Sequence, residues 1–406
     1  MTQSISFIHA ADLHLDSPFK GLTNIPSKLF QDVRESTFTA LDNLVQIAIL
    51  KQVDFVLFVG DLFDNEKQSL KAQVKLRTAC ETLQANEIDV FLSYGNHDHV
   101  LGNPYRLPFP DNVHIFSSEH VEQLIYEKDH EKRASIYGFS YHERAVRMNK
   151  TEEYDKQDDQ IPFHIATLHG SLHGNQTHDP YAPFTLKELQ NKPFDYWALG
   201  HIHERAELSH HPPIIYPGNI QGRHRNETGE KGCYYVQMTE TDTSYDFIPL
   251  QSIQFIEQRI DISACATIHD LESTIQSAIP TSKYKQLLHI TLYSEHNQTV
   301  DVKDEEMMQE LIDIINESLM EEKYWQFIYT YQLEVRQPTT IAVEEKFVEE
   351  IERALDTTDV NQTLADLYRH PIARKFVNKL DHEEIKQAAH NLLLYELLQT
   401  EERDEK

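Results

Sequence analysis

Five short segments of this chain carry side chains suited to metal and phosphoryl chemistry. They are Asp12-Leu13-His14, Gly60-Asp61-Leu62-Phe63-Asp64, Gly95-Asn96-His97-Asp98, His169-Gly170 and Gly200-His201-Ile202-His203. They offer oxygen and imidazole donors and no thiolate. That set suits manganese, iron or zinc, whereas magnesium prefers an all-oxygen shell. Seven such side chains can share two ions if one carboxylate bridges them, and Asp61, in the central segment, is the natural bridge. Two ions about 3.5–4 Å apart can both touch a transferring phosphoryl group and lower the pKa of a bound water toward neutrality. The expected chemistry is phosphoester hydrolysis. Each segment alone is weak, because an Asp-x-His or a His-x-His is more often a solvated loop; the five together, in this order, carry the inference.

Each segment follows an apolar run. Residues 4–11, 53–59, 90–94, 163–168 and 194–199 are short and rich in Val, Ile, Leu and aromatics, as strands buried on both faces should be. Between the first two, residues 29–51 place Phe30, Val33, Phe38, Leu41, Val45, Ala48 and Ile49 on one helical stripe. Val74, Ala79, Cys80 and Leu83 do likewise before the third. The alternation predicts an α/β sandwich. Ligands collect at the carboxyl ends of strands in such sheets, so all five segments are expected along one edge. The glycines beside them fit tight turns and close backbone approach.

From Gly232 the pattern changes. Tyr234, Val236 and Met238 alternate along a strand, followed by irregular sequence to about Phe255. Residues 256–336 read β-α-β-α-β. A strand near Arg259 precedes a helix with Ile268, Leu271, Ile275 and Ile279; a strand with Leu288, Ile290 and Leu292 precedes a helix with Met308, Leu311, Ile315 and Leu319; a strand with Phe327, Tyr329, Tyr331, Leu333 and Val335 closes the set. This predicts a small α+β domain. Gln337-Pro338-Thr339-Thr340 makes a short linker, since Pro blocks a regular continuation. The tail from Ile341 reads as helical, with Val343, Phe347, Ile351 and Leu355 at every fourth residue. Asp381 is a candidate N-cap for a last helix carrying Ile385, Ala388, Ala389, Leu392, Leu393 and Leu397. Such helices either pack on their own domain or offer an apolar face to another chain. The expected domains are 1–255, 256–337 and 341–406.

The formal net charge is −29, and it is spread along the chain: residues 1–250 carry 35 acidic against 22 basic side chains, and 251–406 carry 31 against 15. That excludes a protein built to hold DNA by charge alone, which needs clustered Lys and Arg to displace counterions. Cys80, Cys233 and Cys265 match neither a disulfide framework nor a zinc motif and read as inert buried thiols. The N-terminus lacks a basic region followed by a long apolar stretch, and no run reaches the roughly 18 apolar residues of a membrane span. A reducing cytoplasm, with no membrane partner, is the expectation.

The order Asp-x-His, Gly-Asp-x-x-Asp, Gly-Asn-His-Asp, His-Gly and Gly-His-x-His resembles the calcineurin-like metallophosphoesterase superfamily over residues 5–225. The opening ADLHLDSPF, the GDLFD, the later IIYPGNIQGR and the appended α+β domain resemble its DNA-repair exonuclease branch, the SbcD-type subunits and most closely the bacterial YhaO-type proteins. The resemblance implies a four-layer sandwich, helices around two mixed β-sheets, followed by the α+β domain and the helical tail. It implies one ion on Asp12, His14, Asp61 and His203, and a second on Asp61, Asn96, His169 and His201, most suitably Mn²⁺, with Fe²⁺ or Zn²⁺ as alternatives. His97 matches the histidine that assists departure of the leaving oxygen, and Asp64 the acidic position that orients it; Asp98 reads as a support of the loop. His173 rivals His169, because Leu172-His173-Gly174 repeats the pattern, but His169 directly ends an apolar strand. His9, His99, His114 and His178 read as bystanders. Arg223 and Arg225, flanking His224, are candidate phosphate contacts or else a solvated basic turn. Asp16-Ser17-Pro18 stands where SbcD-type enzymes carry a glycine after His-Leu, which fits the YhaO-like branch.

The function implied is a metal-dependent DNA nuclease, the subunit of a repair complex whose coiled-coil ATPase, of the SbcC or YhaN kind, docks on the C-terminal helices. Two other classes stay open: a phosphatase or phosphodiesterase acting on a small molecule or a phosphoprotein, and a metal-bound scaffold for the partner. A homodimer is a further assembly to test.

Overall fold

Alternate burial of apolar residues shows how the strands are used. In β2 (Phe55–Val59), Phe55, Leu57 and Val59 face one core while Val56 and Phe58 face another, so the strand is covered on both sides. The computed structural model describes residues 3–19, 22, 25–65, 68–103, 106–173, 181–294, 302, 304–321, 323–335, 353–355, 357–365, 385–390 and 392.

The first sheet contains β1 (Ser4–Ala10), β2, β3 (Asp89–Ser93), β4 (Val113–Ile115), β11 (Gly232–Thr239) and β12 (Thr243–Pro249), in the order β12-β11-β1-β2-β3-β4. The run β1 to β4 is parallel, with Phe7 beside Phe55 and Phe55 beside Asp89, whereas β11 and β12 add an antiparallel hairpin. The second sheet has β5 (Glu122–Lys128), β6 (Glu131–Gly138), β7 (Phe163–His169), β8 (Tyr196–Gly200), β9 (Ala206–His210) and β10 (Pro213–Tyr216), in the order β5-β6-β7-β8-β10-β9. Phe7, Phe55 and Phe91 from one sheet pack against Ile136, Ile165 and Tyr196 from the other. Phe7 and Phe55 stack at 5.1 Å between ring centroids.

Helices α1 (Ser27–Lys51) and α2 (Leu70–Gln84) cover the outer face of the first sheet through Phe38, Leu41, Leu44, Leu76 and Leu83. The buried stripe of α2 runs through Ala72, Leu76, Ala79, Cys80 and Leu83, and Val74, expected on it, is 38% exposed. The outer face of the second sheet is covered mainly by loops bearing Tyr141, Tyr154 and Phe184 and by the five-residue α3 (Leu186–Gln190). The mixed-sheet sandwich is as expected, with a fourth layer whose described residues form little helix. β12, read as irregular, forms the edge of the first sheet, where Ser244 and Asp246 are exposed and the rest of the strand is half-buried.

The β-α-β-α-β run folds as β13 (Ile253–Asp261), α4 (Ile268–Ala278), β14 (Lys285–Ser294), α5 (Glu305–Met320) and β15 (Gln326–Val335), with sheet order β13-β14-β15. Phe255, Leu287, Trp325 and Phe327 pack on Phe19, Leu29 and Val33. Asp32 of α1 accepts hydrogen bonds from Lys285 Nζ at 2.6 Å and Trp325 Nε1 at 2.9 Å. The chain forms two compact units, Met1–Tyr293 with Gln298–Glu334, and Ser294–Asn297 with Val335–Lys406. In the second, Val360–Thr363 and residues 385–390 are helical. The linker at 337–340 and Val343, Phe347, Ile351, Asp381, Leu393 and Leu397 lie outside the described residues, as does His178. No described helix is long and apolar enough to cross a membrane.

His9 is structural. Its Nε2–H donates to Leu199 O and its Nδ1 accepts from Tyr196 Oη, each at 3.0 Å. Burial pushes its pKa from 6.5 down to about 3 against the hydrogen bond to Leu199. The unfolded chain takes up this proton near pH 6.5 and the folded chain only near pH 3. The stability owed to neutral His9 is therefore complete above pH 6.5 and is lost as pH falls toward 3. Chemical denaturation at pH 7 and at pH 5 should show that loss, and His9→Gln should reduce it; identical pH profiles would contradict this account.

Candidate metal centre

The five segments follow five strand ends, three in one sheet and two in the other. Asp12 and His14 follow β1, Asp61 follows β2, Asn96 and His97 follow β3, His169 ends β7, and His201 and His203 follow β8. The site therefore lies across the mouth of the sandwich and draws on both sheets, where a single sheet edge was expected. Main-chain bonds extend the pairing of β1 with β2 into the loops: Asp12 N donates to Gly60 O at 3.2 Å, His14 N to Asp61 O at 3.0 Å, and Leu15 N to Leu62 O at 3.0 Å.

Asp61 lies at the centre. Its carboxylate stands 3.4 Å from His169 Nε2 and 3.7 Å from His14 Nε2, and accepts the His97 main-chain N–H at 2.9 Å. Asn96 Oδ1 lies 3.1 Å from His169 Nε2 and 3.2 Å from His201 Nδ1. His14 Nε2 and His203 Nε2 face each other at 3.0 Å. Asp12 accepts the His201 N–H at 3.0 Å. Ligand atoms lie within 4.8 Å of one another in three groups: Asp12, His14 and His203; His14, Asp61 and His97; and Asp61, His169 and His201. That spacing is close to what one ion with bonds of about 2.0–2.2 Å requires. Asp61 and His14 each belong to two groups, and His97 joins them in the one they share. Buried and half-buried oxygen and imidazole donors turned toward one another fit divalent cations.

Backbone and electrostatics serve the same end. Asp12, His14, Asp61 and His201 have positive φ, at 52°, 41°, 48° and 96°. Such conformations are uncommon outside Gly and cluster at functional sites, where surrounding structure holds them. Gly95 has no side chain where a Cβ would strike Asp61 Oδ1, Asp61 N and His169 Nε2. Burial favours neutral Asp61, but the charge and hydrogen bond of His169 hold its carboxyl well below the usual range. Burial with the charge of Arg223 keeps His14 neutral, the form that ligates. His169 Nδ1–H donates to Val59 O at 3.0 Å, which turns Nε2 toward Asp61 and Asn96.

The structure brings all seven expected ligands together. His97 lies beside them, and its Nδ1–H donates at 2.8 Å to the main-chain oxygen of Asp64, not to the carboxylate through which Asp64 was expected to orient it. The Asp64 carboxylate pairs instead with Arg223 Nη1 at 2.5 Å and lies 3.7 Å from His14 Nδ1. Arg223 is thus held at the site by acids, while Arg225 is exposed. Asp98 supports the loop, accepting from Leu62 N and Gly95 N at 2.7 Å each. His173 donates its N–H to Phe184 O and belongs to none of the three groups; His114 stacks on Phe91.

Sequence reasoning missed Glu227 and Lys231. Glu227 Oε1 accepts His203 Nδ1–H at 2.7 Å, and Lys231 Nζ donates to His203 O at 3.2 Å. Burial favours protonated Glu227, but His203 and Arg223 outweigh it and hold the carboxyl far below its ordinary value. The available signal was the Arg223-x-x-x-Glu227 spacing, which in a polar turn does not reveal burial.

Two facing mixed sheets with carboxylates and imidazoles at their shared mouth define a metallophosphoesterase. Residues 5–205 match the family model described as calcineurin-like phosphoesterase, and the chain belongs to that family. It is 37% identical over 393 residues to the metallophosphoesterase YhaO of Bacillus subtilis, covering 95% of this chain and 96% of that protein. It is 25% identical over 313 residues to the DNA double-strand break repair protein Mre11 of Thermoplasma acidophilum, covering 73% and 79% of the two chains. For Mre11 of Methanocaldococcus jannaschii the identity is 27% over 271 residues, covering 63% and 69%.

Gly95→Ala should displace Asp61 and His169 together and weaken divalent-metal binding by at least about 10-fold. Metal analysis after equilibrium dialysis measures this; full occupancy at parental affinity would contradict the packing argument.

Proposed function

We propose that this chain is a metal-dependent DNA nuclease that hydrolyses phosphodiester bonds and works as the nuclease subunit beside a coiled-coil ATPase. The observation that carries this reading is the gathering of six donor side chains, those of Asp12, His14, Asn96, His169, His201 and His203, around the carboxylate of Asp61. The likeness to two DNA double-strand break repair proteins supports the choice of DNA, since the longer match covers 73% of the chain.

Asp12, His14, Asp61 and His203 would hold one divalent ion, and Asp61, Asn96, His169 and His201 the other. When bound, such ions supply an activated water and neutralise charge on the transferring phosphoryl group. The chain's own residues do the rest. With Nδ1–H engaged on Asp64 O, Nε2 is the atom left to face a departing sugar oxygen, and His97 would donate to it from there as the imidazolium. Arg225 is the remaining candidate phosphate contact, because Arg223 is engaged by Asp64 and Glu227. A net charge of −29 argues against unaided duplex binding, which is why the reading includes a partner docked on residues 341–406.

Purified protein with Mn²⁺, offered linear duplex DNA, single-stranded DNA and simple phosphomonoesters and diesters, should degrade DNA, and Asp61→Ala should abolish that activity. Monoester hydrolysis with DNA left intact would overturn the nuclease reading in favour of a phosphatase. His97→Ala should lower turnover by about 10²–10⁴-fold with both ions retained. Metal content falling in step with activity would remove His97 from the acid role. Deleting residues 341–406 should abolish binding of the ATPase and spare metal binding; retained binding would put the docking surface elsewhere.

A further inference from the structure

One buried carboxylate beside the candidate ligands has no place in the two-ion assignment. Glu227 is 6% exposed, and each of its oxygens is engaged. Oε1 accepts His203 Nδ1–H at 2.7 Å. Oε2 accepts from Asn219 Nδ2 at 2.9 Å and from Arg223 N at 2.7 Å. Arg223 lies 3.6 Å from Glu227 Oε1 through one guanidinium nitrogen and pairs with Asp64 at 2.5 Å through the other. Asp64 O receives the Nδ1–H of His97 at 2.8 Å. A continuous path, His203–Glu227–Arg223–Asp64–His97, thus joins a candidate ligand to the candidate acid. The same loop pins the backbone of His203, whose carbonyl accepts Asn219 N at 3.4 Å and Lys231 Nζ at 3.2 Å.

A carboxylate is expensive to bury unless charges and donors compensate it. Glu227 receives that compensation chiefly from His203 and Arg223, which lead to the site, with the exposed His224 ring 3.4 Å from Oε1. A carboxylate on one imidazole nitrogen fixes the proton there, sets the ring plane and makes the other nitrogen a better donor. His169 has only the neutral Val59 carbonyl in this role, so His203 receives the stronger support.

We propose that Glu227 is a positioning residue for the His203 side of the centre, and that Arg223 is the strut transmitting its placement to Asp64 and His97. The loop from Asn219 to Lys231 then sets the affinity of one ion and the aim of the acid. This rests on the reading of His203 as a ligand.

The test uses the full-length chain with Mn²⁺ binding by equilibrium dialysis and the visible spectrum of the Co²⁺-substituted protein. Glu227→Ala should weaken one of two ions by about 10–100-fold and leave the other at parental affinity. Glu227→Gln, which keeps the volume and one acceptor, should fall between and still alter the Co²⁺ spectrum. Arg223→Met should retain both ions and lower kcat more than it raises KM. Metal-free circular dichroism and melting identify variants that have not folded, and if Glu227→Ala is among them, Glu227→Gln decides. Parental Mn²⁺ affinities and Co²⁺ spectrum in the folded Glu227 variants, or equal weakening of both ions, would overturn the proposal. Loss of one ion in His203→Ala while the Glu227 variants bind normally would reject the positioning role and keep the ligand reading. Two ions at parental affinity in His203→Ala would reject both.

Discussion

The site depends on one ionised carboxylate held between two sheets. Asp61 leaves the end of β2 in the first sheet and stands 3.4 Å from His169, which ends β7 in the second. It also accepts the His97 main-chain N–H, joining the β3 loop to the same point. Burial of this carboxylate is tolerable only with positive or donor groups around it, and the surrounding histidines supply them. Its φ of 48° is strained for an aspartate; the main-chain bonds from the β1 loop hold the turn in place. The lack of a side chain at Gly95 leaves the room the carboxylate occupies.

The candidate ligands were legible because each stands directly after an apolar run, beside a glycine or in an Asp-x-His or His-x-His pair. The strands β1, β2, β3, β7 and β8 could be read for the same reason: they are buried on both faces and nearly free of charge. Their division between two sheets was not legible, because five alike apolar runs do not say which of them pair. That division follows from distant pairing, such as Ile5 of β1 with Met238 of β11. The β5-β6 hairpin and β12 escaped notice because the edge strands β5 and β12 carry Glu, Lys, Asp and Thr, and β6, though internal, opens on exposed Glu131 and Lys132. Glu227 was invisible for a different reason: a carboxylate in a polar turn shows its burial only once the turn folds against His203.

Charge gives the protein a second constraint. A chain with 66 acidic and 37 basic side chains repels a polyanion wherever its own cations are already paired. Arg223 is such a cation, held by Asp64 and Glu227. Bound divalent ions would reverse the sign of the field at the mouth of the sandwich while leaving the remaining surface acidic. The α+β elements are fastened to the sandwich by Asp32, Lys285 and Trp325 and by an apolar seam, so they belong to the same unit as the site. The chemistry assigned to the mouth and the acidity of its surroundings are reconciled if a partner brings the nucleic acid.

The measurement that bears most directly on this account is anomalous scattering from crystals of the protein grown with Mn²⁺. The account predicts two peaks about 3.5–4 Å apart with Asp61 between them, one beside Asp12, His14 and His203 and the other beside Asn96, His169 and His201. A single peak, or ions bound away from Asp61, would contradict it.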